Sequence, residues 1–187
     1  MSLNSPYLKE VKNKMEKTIS HYEDELKKLR TGRPSPAIFE DIKVDYYGTP
    51  TQINQTSNVV VGEDRVISIT PWDKGLLEKI EKAINASPLG LHAINDGNAV
   101  RVSFPAPTGE DRKKWVKVAK DMMEETKIAL RNIRREDMKK VKEDQKKGEI
   151  PEDTAKKIED EIQKILKEHE DKAEHVFHKK EKEILES

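Results

Sequence analysis

The sequence predicts an α+β fold, in which an antiparallel three-helix bundle carries a small β/α/β domain inserted between its first and second helices. Apolar residues recur at three- and four-residue steps near the start of the chain and over its second half, as in long amphipathic helices. Between these regions, short β-branched runs alternate with turns that contain Gly and Pro, which indicates a small sheet. The composition, 39% charged and 34% hydrophobic, suits long helices with one wet face.

The first helix is predicted over residues 6–30. Pro6 suits a first helical turn. The four-three spacing of a coiled-coil seam is kept by Leu8, Val11, Met15, Ile19, Tyr22, Leu26 and Leu29. The segment from Thr31 to Pro36 contains one glycine and two prolines, and therefore ends the helix.

The inserted domain is predicted over residues 31–105. Val59–Val61 and Val66–Ile69 flank the turn Gly62–Asp64, which indicates a β-hairpin. His92 is expected in a loop. The other predicted elements are a strand at Ile42–Tyr46, a helix from Lys74 to Asn85 capped by Asp73, and a strand at Ala99–Phe104.

Two further long helices complete the bundle, which is predicted to comprise residues 1–30 and 106–187. The second helix is expected to run from Thr108 to Lys147 and to end at Gly148. Its predicted buried stripe is Trp115, Ala119, Met122, Thr126, Ala129 and Ile133. The third helix is expected to begin at Pro151, and its stripe is Ile158, Ile162, Ile165, His169, Ala173, Val176, Lys180 and Ile184.

Two short connections join the inserted domain to the bundle. They are Arg33, Pro34 and Ser35 on one side and Phe104, Pro105, Ala106 and Pro107 on the other. Proline fixes its own φ but leaves bending to the flanking residues. We therefore predict a hinge between two rigid bodies, with a fixed elbow as the alternative.

No known catalytic motif is present in the sequence. The phosphate-binding loop, the nucleophile elbow and the HExxH zinc motif are all missing, and there is no cysteine to act as a nucleophile or thiolate ligand. His175 and His178 form the one candidate metal pair, but a solvated helix face explains them better. We therefore predict no enzyme activity, no cofactor, no metal and no small-molecule substrate. Because no apolar run approaches the roughly 20 residues of a membrane span, a soluble, cytoplasmic protein without membrane contacts is expected.

A cluster of arginines gives the clearest functional signal. The formal net charge is zero, yet residues 107–147 hold 14 Lys/Arg against 9 Asp/Glu. Lys127, Arg131 and Arg134 fall on one predicted solvent face with Arg135 beside them, while Glu124 and Glu136 could neutralise part of the charge. Arginine, where lysine fills most other basic positions, favours phosphate contacts. Nucleic-acid binding through backbone and shape is thus one interpretation; the others are a solvated charged face and a coiled-coil adaptor that binds only proteins.

Five segments in order along essentially the whole chain carry a resemblance: Leu29–Arg33, Val44–Pro50, Glu81–Ile84, Leu89–Leu91 and Arg131–Arg135. Together they resemble the bacterial ribosome recycling factor family. The resemblance implies an L-shaped monomer of about transfer-RNA outline. It also implies action with elongation factor G, which hydrolyses GTP while the post-termination ribosome is split into subunits.

The same resemblance implies that the bundle lies on large-subunit RNA. In the family, the arginines that match Arg30, Arg131 and Arg134 are implicated in this contact, and Arg112 also fits the family pattern. Together with the helix-face argument, the predicted RNA-binding residues are Arg30, Arg112, Lys127, Arg131, Arg134 and Arg135. The chain would then act as a ligand that favours one ribosome conformation.

Overall fold

A computed structural model of the chain describes residues 5–29 and 32–186. The chain divides into two compact units, one formed by Met1–Thr31 with Gly109–Ser187 and the other by Gly32–Thr108. Each unit has its own hydrophobic core. The units change over one residue later at the first junction, and three residues later at the second, than the sequence predicts.

Five helices and six strands form the described part of the chain. The helices are α1 Pro6–Lys28, α2 Ile53–Thr56, α3 Leu77–Ala86, α4 Gly109–Lys146 and α5 Glu152–Glu186. The strands are β1 Lys43–Tyr46, β2 Thr49–Gln52, β3 Ser57–Val61, β4 Val66–Pro71, β5 His92–Asn95 and β6 Val100–Ser103. Short 3-10 turns cover Pro36–Phe39 and Lys74–Leu76.

Helices α1, α4 and α5 form the antiparallel three-helix bundle that the sequence predicts. The Tyr22 hydroxyl donates a hydrogen bond to the carbonyl of Ala119 at 2.9 Å. Closer to the start of α1, Lys14 Nζ lies 3.1 Å from Asp137 Oδ1. Because the partner number on α4 falls as the number on α1 rises, the two helices run in opposite directions. A tight turn at Gly148, which has φ +79°, then reverses the chain into α5.

The predicted seam of α1 is confirmed, whereas that of α4 is displaced. Six of the seven predicted α1 residues are buried, and Leu29 packs against them partly exposed. On α4 the buried residues are Ala119, Met123, Thr126, Lys127, Leu130, Asp137 and Val141. Met122 and Ile133 only border the core. Ala119 and Thr126 are buried as predicted, whereas Met123, Lys127 and Leu130 each lie one residue beyond a predicted position.

Trp115 does not belong to the bundle core, so its prediction as a core residue is wrong. The indole is half-buried and lies outside the core cluster. On α5 the predicted stripe is largely correct, with Phe177 as an additional buried aromatic ring, while Val176 borders the core and Lys180 is only half-buried.

The inserted unit contains an antiparallel sheet in the order β3-β4-β6-β5 and a separate hairpin of β1 and β2. The predicted β3–β4 hairpin is confirmed, with Val61 opposite Ile67. Its turn places Asp64 and Arg65 at positive φ. Helix α3 buries Ile80 and Ile84 in the core of this unit. The sequence did not predict β2 or β5, and His92 begins β5 instead of lying in a loop.

None of the helices in the described part of the chain combines the length and the apolar character that crossing a membrane requires.

Candidate nucleic-acid interface

The candidate interface lies on α4, a helix of 38 residues without an internal glycine or proline. Arg131, Arg134 and Arg135 project from its middle, where α4 runs alongside α5. A helix of this length spans on the order of 57 Å and holds its side chains at fixed intervals. Cations on such a rigid element meet a partner without the entropy cost of ordering a loop.

Helix α5 presents a row of acceptors to the α4 cations. Lys127 Nζ lies 2.6 Å from Glu174 Oε1, and Arg131 Nε lies 3.4 Å from Glu170 Oε1. Next along the row, Arg134 Nη1 donates to the Gln163 side-chain oxygen at 3.5 Å. We call this row, Lys127–Glu174, Arg131–Glu170 and Arg134–Gln163, the α4–α5 ladder. Its first two rungs pair a cation with a carboxylate, whereas the third pairs a cation with a neutral amide.

Lys127 is not solvated, contrary to the prediction from helical spacing. The residue is only 8% exposed and its ammonium is held by Glu174. The hydrogen bond from Lys127 lowers the pKa of the Glu174 carboxyl. The predicted face of α4 turns toward the flank of α5 at this point, so the Lys127 charge is used inside the bundle.

The arginines have fewer acidic partners toward the C-terminal half of α4. The Arg131 side chain is 47% exposed and shares its charge with Glu170. Arg134 is half-buried against Gln163, and Arg135 is exposed without an ion-pair partner in the described part of the chain. The predicted pairing with Glu124 and Glu136 is not observed, because the carboxylates that reach these cations come from α5.

The other two predicted RNA-binding arginines stand apart from this cluster. Arg30 lies outside the described residues. Arg112 is half-buried near the start of α4, where its guanidinium donates to the carbonyl of Leu185 at 3.3 Å. At 1.5 Å per residue, Arg112 is roughly 28 Å along the helix from Arg131. It therefore belongs to the end of the bundle and not to the cluster.

The acceptors on α5 are the site residues that sequence reasoning missed. Gln163, Glu170 and Glu174 recur at seven- and four-residue steps and so share one side of α5. That spacing is visible in the sequence. However, the relative rotation of two helices decides which acceptor meets which cation, and periodicity within one helix does not report it.

The Arg65 side chain of the inserted unit forms hydrogen bonds at both predicted connections, with Gly32 next to the first and Phe104 in the second. Arg65 Nε donates to the carbonyl of Phe104 at 3.3 Å, and its terminal nitrogen donates to the carbonyl of Gly32. The Phe104 amide in turn donates to the Arg65 carbonyl at 2.9 Å. One arginine on the β3–β4 turn thus joins the beginning of this unit to the start of its outgoing segment. The remaining predicted hinge residues, Arg33, Pro34, Ser35, Pro105, Ala106 and Pro107, lie in segments without regular secondary structure.

The histidines form no metal centre in the described part of the chain, where no group of three or more His, Asp or Glu side chains is arranged to hold an ion. His175 is exposed, and His178 Nδ1 lies 3.5 Å from Glu181. His169 is buried in the seam, as predicted, with Nδ1 2.7 Å from the Ile165 carbonyl. Its Nε2 has no hydrogen-bond partner among the described residues, so the ring is only half satisfied.

Comparisons with known proteins agree with this architecture. The family profile described as Ribosome recycling factor matches residues 22–185. The ribosome-recycling factor of Petrotoga mobilis is 66% identical over the full length of both chains. That of Thermotoga maritima is 59% identical, covering 97% of this chain and 98% of the relative.

Two solved structures are also similar. A solution structure of the ribosome recycling factor superposes with a TM-score of 0.74 at 35% identity, covering 97% of this chain and 96% of the other. The second has a TM-score of 0.59 at 40% identity and covers 96% and 97%. It describes the T. thermophilus ribosome recycling factor and the E. coli elongation factor G bound to the E. coli post-termination complex.

Proposed function

The chain belongs to the ribosome recycling factor family, and from this premise we propose that it binds the post-termination ribosome and, with elongation factor G and GTP, promotes its separation into subunits. The family consists of non-enzymatic translation factors that act on ribosomes in the cytosol. The chain would work by binding one conformation of the ribosome more tightly than another, since a ligand shifts an equilibrium by its differential affinity.

We propose that the bundle binds large-subunit RNA through α4. The observation that carries this proposal is the charge left over at Arg134 and Arg135. Arg134 meets a neutral amide where the two preceding cations of the α4–α5 ladder meet carboxylates. An arginine that keeps its charge, and whose planar fork matches phosphate oxygens, is well suited to RNA. Arg131 joins this interface through its exposed part, whereas Lys127 is left out because Glu174 holds its ammonium. Arg30 and Arg112 remain proposed contacts at other points of the bundle.

We propose that the inserted unit responds to elongation factor G. Two short connections, Arg33–Ser35 and Phe104–Pro107, join it to the bundle, and bending there would let a GTPase partner move one unit while the other stays on RNA. The related structure that includes both factors on a post-termination complex supports this choice of partner.

The competing function is a coiled-coil adaptor that binds only proteins. The two functions differ in their dependence on salt, because phosphate contacts release counterions and weaken steeply as salt rises. For three to four phosphate contacts, the Kd should rise roughly 20- to 100-fold between 50 and 200 mM salt.

The experiment is co-sedimentation of the full chain with vacant ribosomes at these two salt concentrations, followed by light scattering of ribosomes with elongation factor G and GTP. We expect salt-sensitive binding and a fall in scattered light as subunits separate. The control is Lys12→Ala, which removes one exposed cation on α1 and should change neither readout. Binding that is indifferent to salt, or no fall in scattering, would contradict the proposed function.

A further inference from the structure

A shallow groove of about 590 Å³ follows the C-terminal half of α4 beside α5. Five cations line it: Arg134, Arg135, Lys139, Lys142 and Lys146. Apart from the two arginines, none of these residues belongs to the interface described above. The five recur at one-, three- and four-residue steps, so they form one face of the helix over about 18 Å.

This groove brings together cations that have few acidic neighbours. In the described part of the chain, Arg135, Lys139, Lys142 and Lys146 have no ion-pair partner, and Glu143 is the one acid among the lining residues. At the other end of the α4–α5 ladder, Glu174 and Glu170 neutralise their partners. Where the α4–α5 ladder reaches the groove, α5 presents the neutral amide of Gln163 to Arg134.

A neighbouring lysine on the same stretch of α4 is paired, unlike the groove lysines. Lys140 lies between two groove residues in sequence but faces α1, where its Nζ is 3.3 Å from Glu10 Oε2. It also lies 5.9 Å from the centre of the Tyr7 ring. Lys140, on the α1 side of α4, is thus paired, while Lys139, Lys142 and Lys146 on the groove side have no ion-pair partner among the described residues.

We propose that this groove binds the phosphodiester backbone of an RNA strand, with Lys139, Lys142 and Lys146 extending the contact that Arg134 and Arg135 begin. The inference rests on the proposed function and names a part of the interface that the arginine cluster alone does not include. An acidic protein segment fits less well. Protein interfaces are built around buried aromatic or aliphatic anchors, and this groove offers only Met138.

The first test compares lysines on the groove side and on the α1 side of the same helix. Lys142→Ala and Lys146→Ala should each weaken binding to vacant ribosomes several-fold and lower the slope of log Kd against log salt by about 1. The matched control, Lys140→Ala, removes the same charge from the α1 side and should leave both quantities unchanged. An equal loss for Lys140→Ala, or no loss for Lys142→Ala and Lys146→Ala, would overturn the proposal.

The second test gives the third cation of the α4–α5 ladder, Arg134, a carboxylate partner like those of the first two. Gln163→Glu places a carboxylate opposite Arg134, and the affinity for vacant ribosomes should fall about tenfold while the melting temperature is kept or raised. Gln163→Met removes the amide without adding charge, so its loss of affinity should be clearly smaller than that of Gln163→Glu. A loss of affinity without a loss of stability excludes misfolding as its cause. Wild-type affinity for Gln163→Glu would show that this end of the groove carries no RNA.

The occupant is identified by placing a photo-crosslinking amino acid at position 142 and irradiating the complex with vacant ribosomes. Cross-links to ribosomal RNA support the proposal, and cross-links only to ribosomal protein overturn it. The two levels of inference fail separately. If the wild type does not bind ribosomes, the proposed function is wrong; if binding depends on Arg134 but not on the groove lysines, only the groove assignment is wrong.

Discussion

At the scale of single residues, the cations of α4 differ in how much charge they offer to a partner. Lys127 is buried against Glu174, Arg131 shares its charge with Glu170, and Arg134 faces only the amide of Gln163. Arg131 and Arg134 look equivalent in the sequence, but in the fold they differ in how much of their charge is neutralised by α5. The difference lies in the side chains that α5 presents, so substitutions at these positions should have different consequences.

Arg134 is the residue whose loss should affect binding most selectively. Arg134→Ala should weaken the affinity for vacant ribosomes by roughly 1–3 kcal/mol, because a guanidinium fork to phosphate is lost. Arg134→Lys keeps the charge but not the fork, and should recover only part of this loss. Folding stability should stay within about 0.5 kcal/mol of the wild type. Equal affinities for all three proteins would remove Arg134 from the interface, and a large drop in melting temperature would make it a structural residue.

Tyr22 should make the bundle sensitive to alkaline pH. Burial raises the pKa of its phenol to about 12. In the unfolded chain a tyrosine ionises near pH 10. The stability that depends on the protonated phenol is therefore complete below pH 10 and is lost as the pH rises toward 12.

The measurement is urea unfolding at pH 8 and pH 11.5, followed by the helical circular dichroism signal. Tyr22→Phe should lose less stability between the two pH values than the wild type. Some loss should remain, because the hydrogen bond to Asp144 also raises the pKa of Tyr7 to about 12. Tyr46→Phe, which alters an exposed tyrosine of the other unit, is the control. An equal alkaline loss in the wild type and Tyr22→Phe would contradict this role.

At the scale of elements, each helix of the bundle packs against the other two, and α4 makes its most extensive contact with α5. Two rows of contacts widen its buried face beyond a single stripe. The polar residues on this face have partners, and Asp137 meets Lys14 at 3.1 Å through Oδ1, while its buried Oδ2 has no hydrogen-bond partner among the described residues. The predicted stripe of α4 was correct at Ala119 and Thr126, while Met123, Lys127 and Leu130 are buried one residue beyond predicted positions. The predicted seam of α1 was correct.

Leu130 and Trp115 test the observed core of α4 against the predicted one. Leu130 is fully buried, so Leu130→Ala should cost about 2–5 kcal/mol of the free energy of unfolding. Trp115 is half-buried outside the core, so Trp115→Ala should cost on the order of 1 kcal/mol. Thermal and urea unfolding of both variants provide the comparison. A greater loss for Trp115→Ala than for Leu130→Ala would restore the stripe that the sequence predicts.

At the scale of the whole molecule, the chain consists of two compact units joined by two short segments. Within the inserted unit, Arg65 holds the carbonyls of Gly32 and Phe104, so both segments begin from one fixed point. On the outgoing side, the anchored Phe104 carbonyl leaves bending to the residues beyond it, such as Pro105. On the incoming side, Pro34 lies between the anchored Gly32 and the rest of the inserted unit. This arrangement supports the proposal of a hinge at the outgoing connection.

We expect nuclear magnetic resonance (NMR) relaxation measurements to give different rotational correlation times for the two units. Arg65→Ala should increase fast motion at residues 32–35 and 104–107, because two carbonyls lose their shared donor, while hydrogen exchange in β4 stays slow. Arg65→Lys, which keeps the charge but loses the guanidinium geometry, should lie between the two. A single correlation time for the entire chain would contradict the hinge, and unchanged motion in Arg65→Ala would contradict the anchoring role of Arg65.

Much of the fold follows from local patterns that the sequence itself contains. Helical periodicity determined α1 and its seam, the glycine at position 148 determined where α4 ends, and β-branched runs around a turn determined the β3–β4 hairpin. The arginine cluster was also visible, because its residues are adjacent in sequence. Patterns of this kind arise within a single helix or hairpin, where the interacting residues are only a few positions apart, so they can be recognised in the sequence.

Features that depend on contacts between elements, such as strand pairing and helix rotation, were decided only by the tertiary structure. Strands β2 and β5 have little pattern of their own, and each is a strand because β1 or β6 pairs with it. The rotation of α4 between two neighbours buried Lys127 and left Trp115 at the edge of the core. The rotation of α5 placed Glu174, Glu170 and then Gln163 along the same row of cations. Which arginine lacks an acidic partner is thus decided by how α4 and α5 pack together. It cannot be predicted from the sequence of either helix alone.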